Sequence, residues 1–496
     1  MMQTVHWTSH NGITSFWLDR DGLCTGTLIF GVGMRDEPPT LAGITHLIEH
    51  VLLRLVQPVT VVHGGTVTTD SLQFYALGKP DDVAGFLNAI AAAVSAFQEL
   101  TDEVIAFEKS VLEAEDPHKF SNVSSGLLTY RYGTSGVGAA HFGAPATSGL
   151  ITAELIDWAC RWLTAGNAAL TFTGPVPSAL DIRLPAGEPV CHHQGPPLIM
   201  AQTLIKSRKQ GVAFSLLVPS QDAGLLCEAL RYELLTRLRH GAGIIYSVEN
   251  FTTAIDNGQS QLDLVLDPVR HNTIPTLKQG VNTLRGLVDA GFSEDAVQSA
   301  RHAVTAEFGC DDYVPQDYLD QLAIDALLGR SSRDRQAILD RATDITSAEL
   351  TKILRNSIGS LIVAVDKSVK LSKADAGSLG LATDRYELWQ RTKEPKSLQP
   401  PTEGRPGQTT WRHKSSPTTL VLTPTHLMSQ TSRKTKTISL ADVAVVGDRS
   451  CGCLSLMDQR GRSIDLNMDE WKAGKKLRKQ LLEAFPREVI RPFPEE

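Results

Sequence analysis

The run Gly43-Ile44-Thr45-His46-Leu47-Ile48-Glu49-His50-Val51 holds the residues of this chain best suited to chemistry. On a helix, His46 and His50 stand four residues apart and project from one face, with Glu49 beside them. Two neutral imidazoles plus a carboxylate from elsewhere would bind Zn²⁺ and leave one open position for water. Glu49 would then take a proton from that water while the metal polarises a peptide carbonyl. The plain alternative is a buried amphipathic helix with two hydrogen-bonded histidines. A third ligand distinguishes the two.

The segment Glu108-Lys109-Ser110-Val111-Leu112-Glu113-Ala114-Glu115-Asp116 has a helical pattern. Glu108, Val111, Leu112 and Glu115 fall at i, i+3, i+4 and i+7, one face of two turns. Carboxylates among apolar residues are costly to bury without partners. Zinc would compensate Glu115, and Glu108 would accept a hydrogen bond from a ligand histidine. Glu113 lies off that face. A solvated, glutamate-rich helix face is the alternative.

With these residues in view, RDEPPTLAGITHLIEHVLLR resembles the active-site entry of the pitrilysin/insulinase-type zinc metallopeptidases, which carry an inverted HxxEH motif. The resemblance implies that His46, His50 and Glu115 ligate one Zn²⁺ and that Glu49 is the general base. It covers about residues 1–375. The run Leu238-Arg239-His240-Gly241-Ala242-Gly243-Ile244-Ile245-Tyr246 is similar to the family's Arg…Gly-Leu-x-Tyr segment. By that likeness Arg239 and Tyr246 reach the substrate carbonyl and oxyanion from across a chamber. The stretch Gly64-Gly65-Thr66-Val67-Thr68-Thr69 replaces an edge strand that in relatives pairs with the bound peptide and often reads Asn-Ala. Thr66, Val67 and Thr68 are its expected contacts, and pairing through main-chain N–H and C=O groups survives such substitution. The chain also departs from the family. From His50 to Glu115 it is about a dozen residues short, chiefly between Leu53 and Gly64, where relatives have a helix.

These residues need a scaffold, and the sequence predicts an α+β one. Two proline- and glycine-rich zones, Gly174–Pro197 and Thr392–Gly407, and a lesser loop, Gly133–Gly143, divide the chain. Blocks 1–178 and 195–373 share one plan. Each opens with a strand (Gly26–Val32; Gln210–Val218), continues through amphipathic helices and closes on an apolar strand (Ala168–Thr173; Leu361–Val365). Two tandem homologous domains of antiparallel sheet flanked by helices are therefore expected, then a linker over 374–409. The block 410–496 reads as strands over Thr418–Ser429, Thr435–Val445, Cys453–Asp458 and Gly461–Leu466, with one helix at about Asp469–Phe485. It weakly resembles a pleckstrin-homology-like domain. Trp471, Leu477, Leu481 and Phe485 would pack inward, and Lys472, Lys475, Lys476, Arg478 and Lys479 would face solvent.

Composition adds exclusions. A net charge of −7 over 496 residues offers no general attraction for nucleic acid. No run approaches the ~20 apolar residues of a membrane span. Seven scattered cysteines suit a reducing compartment. Residues Met1 to His10 lack the features of a secretory signal, so a cytoplasmic protein is expected. Cys191-His192-His193 is read as solvated, and Gly136-Val137-Gly138 as a broken dinucleotide fingerprint. The expected function is a zinc endopeptidase acting on peptides or unstructured segments. Because one chain supplies half a chamber, a homodimer or a heterodimer with a related subunit is expected. A noncatalytic subunit or scaffold is the alternative.

Overall fold

The computed structural model describes residues 4–115, 122–192, 194–207, 209–256, 258–310, 314–387, 408–431 and 435–493. The apolar runs found in the sequence become the inner strands of two six-stranded sheets. In the first sheet, β1 (Val5–His10), β2 (Ile13–Leu18), β3 (Cys24–Phe30), β4 (Val62–Val67), β5 (Leu72–Gly78) and β6 (Ala168–Phe172) lie in the order β1-β2-β6-β3-β5-β4. In the second, β7 (Thr203–Ser207), β8 (Val212–Pro219), β9 (Ile245–Ala254), β10 (Gln259–Pro268), β11 (Ile362–Asp366) and β12 (Ala382–Glu387) lie in the order β12-β7-β11-β8-β10-β9. Five strands correspond one to one. The parallel pair β2/β6 matches β7/β11, and the antiparallel pairs β3/β6, β3/β5 and β4/β5 match β8/β11, β8/β10 and β9/β10. The outermost strand differs, since β1 runs antiparallel to β2 while β12 runs parallel to β7.

Among the described residues, five helices belong to the first domain: α1 (Ile44–Leu55), α2 (Pro80–Ser95), α3 (Asp102–Ala114), α4 (Leu127–Tyr132) and α5 (Thr152–Trp162). α2 starts at Pro80, whose missing N–H is harmless at a helix's first position, and Asp81 and Asp82 favour its positive end. Leu47, Ile48, Val51 and Leu52 of α1 and Leu87 and Ile90 of α2 pack with Leu28, Phe30 and Phe74 from the sheet. The second domain contributes α6 (Ala223–Leu234), α7 (Thr273–Ala290), α8 (Glu294–Phe308), α9 (Gln316–Leu327), α10 (Arg335–Asp344), α11 (Ser347–Ser357) and α12 (Lys373–Ser378).

Each domain lends a helix to the other's sheet. Ala323 and Ile324 of α9 pack on Ile29 and Ala169 of the first sheet, while Leu127 and Tyr130 of α4 pack on Ile205, Ala213, Ile362 and Ala364 of the second. Arg131, also on α4, is fully buried in the second domain. Its guanidinium donates to Gln261 Oε1 (2.9 Å), Ser360 O (3.0 Å) and Ser215 Oγ (3.2 Å). Asp70 bridges the domains as well, accepting from Arg35 and Arg330 at 2.7 Å each. The exchange covers sheet faces that would otherwise lie open and makes one body of the two domains.

The linker expected over 374–409 is corrected at its start. Residues 373–387 form α12 and β12, because Ala382 and Thr383 have open backbone groups on β7 to pair with. Residues 388–407 lie outside the described residues.

After them come a four-stranded antiparallel sheet, β13 (Thr409–Arg412), β14 (Thr419–Leu422), β15 (His426–Gln430) and β16 (Thr435–Ser439), and a second sheet of β17 (Val443–Arg449), β18 (Leu454–Asp458) and β19 (Ser463–Leu466). Two expected strands are each split in two. A turn in which Thr423 donates to His426 O separates β14 from β15, and a single helical turn at Leu440–Asp442 separates β16 from β17. The helix α13 (Gly474–Glu483) is shorter than expected, since Trp471 pairs instead with His413. Trp471, Leu477, Leu481 and Phe485 are buried as read. Arg478, expected in solvent, is tied to Asp448 at 2.6 Å. β20 (Ile490–Phe493), unforeseen, returns parallel to β17. Phe493 and Val445 then meet Ala42, Phe142 and Ala146 of the first domain, and Thr134 donates to Gln459 O at 2.9 Å.

Candidate metal centre

α1 begins where its sequence requires. Gly43 caps it in the left-handed region (φ +98°), a conformation open to glycine but strained for other residues. Glu37 reaches the same end. Its carboxylate accepts from Gly43 N–H (2.7 Å) and Thr45 N–H (2.9 Å), two donors the helix cannot satisfy itself. Burial pushes the Glu37 carboxyl up to about 7, against the two amide N–H hydrogen bonds that lower it. Neither composition nor the HxxEH pattern points to Glu37. The available signal is an acid six residues before a helix-opening glycine.

The apolar face of α1 fixes the direction of the other. His46 and His50 project together, their rings edge-on with centroids 4.9 Å apart. α3 packs beside α1 and supplies Glu108, which is almost wholly buried. Glu115 departs from its expected place, because α3 ends at Ala114. Glu115 stands one residue beyond, on extended backbone (φ −73°, ψ 129°). It still reaches both histidines, with Oε1 3.4 Å from His50 Nε2 and Oε2 3.8 Å from His46 Nε2. His50 Nδ1 faces Glu108 Oε2 at 3.4 Å. Arg54 holds the other Glu108 oxygen at 3.3 Å while stacking on Phe107.

One ligand atom from each of His46, His50 and Glu115 lies within 4.8 Å of the others. Zinc bound tetrahedrally by nitrogen and oxygen at about 2.0–2.1 Å places its ligands about 3.4 Å apart. The two measured carboxylate–imidazole distances sit at or just above that value, so the residues fit the ion. The imidazoles are ready for it too. Burial and the neighbouring His50 lower the His46 pKa, which favours the neutral, ligating form. Among the described residues this is the one group of three or more such side chains with that geometry.

Glu49 lies beside the cluster, Oε2 3.9 Å from His46 Nε2. Burial, and then the charge of Glu115, push its carboxyl up to about 7, the range of a working general base. A cation on the histidines would draw that value down. The edge strand β4 comes close to it. A Cβ on Gly65 would fall 2.7 Å from Glu49 Oε1, so the glycine leaves the room that the carboxylate fills.

Of the expected edge contacts, Thr66 is exposed on β4 and Val67 ends the strand against the core. Thr68 lies beyond β4, and its carbonyl accepts from Met34 N–H at 3.0 Å. The interval from Leu53 to Gly64 holds the end of α1, a short connection and the start of β4. Arg239 and Tyr246 belong to the second domain. Arg239 is in a wide helical turn at Leu235–Gly241, and Tyr246 is two-thirds exposed on β9, the outer strand of the second sheet. They neighbour each other, the guanidinium 5.4 Å from the ring centre, and neither hydrogen-bonds nor ion-pairs with His46, Glu49, His50 or Glu115.

The solvated reading of Cys191-His192-His193 is corrected at His192, which is nearly buried with Nδ1 2.7 Å from Asp36 Oδ1. His193 lies outside the described residues. Gly136–His141 is a short 3₁₀ helix without the strand a dinucleotide fingerprint needs.

No family model matches the sequence, and no curated protein matches it. Solved structures do match its fold. A protease from Helicobacter pylori aligns with a TM-score of 0.60 at 12% identity, over 73% of this chain and 99% of that one. A peptidase M16 inactive domain from Pseudomonas fluorescens aligns at 0.56 and 14%, over 74% and 100%. A chain of complex III2 from Candida albicans aligns at 0.60 and 12%, over 76% and 100%. At such identities the likeness is one of fold, shared by proteases and by proteins with other roles.

Proposed function

We propose that this protein is a zinc-dependent endopeptidase of the M16 type, cleaving peptides or unstructured segments. The observation carrying the proposal is the convergence of His46, His50 and Glu115 beside the buried Glu49. When bound there, Zn²⁺ supplies a Lewis acid and lowers the pKa of a coordinated water. Glu49 takes the proton of the attacking water and later returns it to the leaving amine. Glu108 accepts from His50 Nδ1–H, fixing the tautomer that leaves Nε2 free. The peptide lies along β4, held by main-chain hydrogen bonds. Arg239 and Tyr246 assist the oxyanion from the facing half of a chamber, supplied by a second copy or a related subunit.

The test joins metal content with cleavage. Purified protein carries one zinc per chain and cuts a mixed peptide library, as read by mass spectrometry, and a chelator stops it. Glu49→Gln retains zinc and loses activity by at least about a hundredfold. Glu115→Gln loses both. Light scattering gives a dimer, and a monomer active at high dilution excludes the shared chamber.

A second reading has support of its own. An inactive domain and a chain of complex III2 share the fold, which fits a noncatalytic subunit. Zinc binding without cleavage of any peptide selects that reading.

A further inference from the structure

Resting on the reading of β4 as the peptide-binding edge, we infer that Tyr75, with Val62 and Leu77, forms an apolar side-chain subsite. It sits on the opposite face of the sheet from the metal ligands and selects peptides with a large aromatic or aliphatic residue.

β4 pairs with β5 in the register Val62↔Leu77, His63↔Ala76, Gly64↔Tyr75, Gly65↔Phe74 and Thr66↔Gln73, and ends the sheet on its other side. Side chains alternate across it. His63 and Gly65 turn toward the helices, the first to Phe86 of α2 and the second to Glu49 of α1. Val62, Gly64 and Thr66 therefore share the other face with Tyr75 and Leu77. That face is open and apolar, with Val62 65%, Leu77 44% and Tyr75 38% exposed.

Gly64 gives the patch its shape. A Cβ there would fall 2.6 Å from Tyr75 Oη and 2.8 Å from Cζ, so the phenol ring leans across β4 toward its free edge. Strands in a sheet lie about 4.8 Å apart, and side chains directly opposite each other meet at about 5 Å. A peptide added to β4 thus presents alternate residues to two unlike surroundings. The residue opposite Gly65 faces Glu49 and the zinc ligands. Its neighbour opposite Gly64 faces the Tyr75 ring, with Val62 and Leu77 beside it. An alanine there leaves the wall wet, whereas phenylalanine or leucine buries it. The occupant is an extended peptide, because the wall is continuous with the strand edge that leads to Glu49.

The test measures binding apart from cleavage. Labelled nonapeptides of Ala, Ser and Thr, with or without one Phe, are titrated into full-length Glu49→Gln and into Glu49→Gln carrying Tyr75→Ala. In the first, Phe tightens Kd by about tenfold. In the second the gain falls below about twofold, while Tyr75→Phe keeps it. If Tyr75→Ala fails to fold, Leu77→Ala serves, with the gain falling by half or more. A gain independent of both residues overturns the subsite. So does the absence of binding by every peptide. Tyr75-dependent discrimination in a chain that cleaves nothing leaves the subsite standing and sinks the catalytic reading. Cleavage with discrimination indifferent to Tyr75 does the reverse.

Discussion

On the proposed reading of this site, zinc affinity would depend on more than His46, His50 and Glu115. The imidazole of His50 can offer Nε2 to a metal because its Nδ1 faces Glu108, and Glu108 is in turn held by Arg54. Removing such a partner frees the ring to rotate and lowers its basicity. Glu108→Ala should therefore weaken zinc affinity by about 10–100-fold, measured by competition with a chromogenic chelator. An unchanged affinity would assign Glu108 to packing alone. Glu108 was legible in the sequence as an acid on an apolar face. Its second partner Arg54, on a different helix, was not.

At the level of elements, α1 is an aiming device. Its apolar side is locked into the first core, and its N-terminus is held by Glu37, whose carboxylate accepts hydrogen bonds from two amide N–H groups. Glu37→Ala leaves two buried N–H groups unsatisfied. The expected loss is about 1–3 kcal/mol of stability, read from denaturant unfolding of the zinc-free chain. A lower zinc affinity should accompany it, since the helix that presents His46 and His50 loses its fixed start. Helix ends are where sequence pattern is weakest. The HxxEH run announced α1, yet nothing in the pattern of α3 indicated that it would stop at Ala114 and leave Glu115 on extended backbone.

Taken whole, the molecule is two exchanged domains with a third block docked behind the entrance to α1. His141 sits at that junction, half-buried beside a cavity of about 20 Å³ lined also by Gly126, Thr129, Phe142, Met457 and Ser463. Its Nδ1 accepts from Leu128 N–H at 3.3 Å, which requires the neutral ring. Burial lowers its pKa from 6.5 to about 4. A depressed histidine binds fewer protons folded than unfolded, so stability is full above 6.5 and lost as pH falls toward 4. A change of that size corresponds to about 3 kcal/mol. Thermal melts between pH 7 and pH 4 should show this slope in the wild type and a shallower one in His141→Gln. Parallel slopes would remove His141 from the junction's energetics.

Local chemistry was readable from the chain alone. The spacing of His46, Glu49 and His50, the acidic step from Glu108 to Glu115, and the repeated strand–helix plan all depend on neighbours in sequence, where helical and strand periodicities act. Tertiary structure decided what depends on meetings between distant segments. It set Gly65 against Glu49 and Tyr75 over Gly64, tied Arg131 into the second domain and Asp70 to Arg330, and paired His192 with Asp36. It also set Arg239 beside Tyr246, with no hydrogen bond or ion pair from either to His46, His50 or Glu115. Periodicity records which face of an element is apolar. Only packing decides which face of another element it meets.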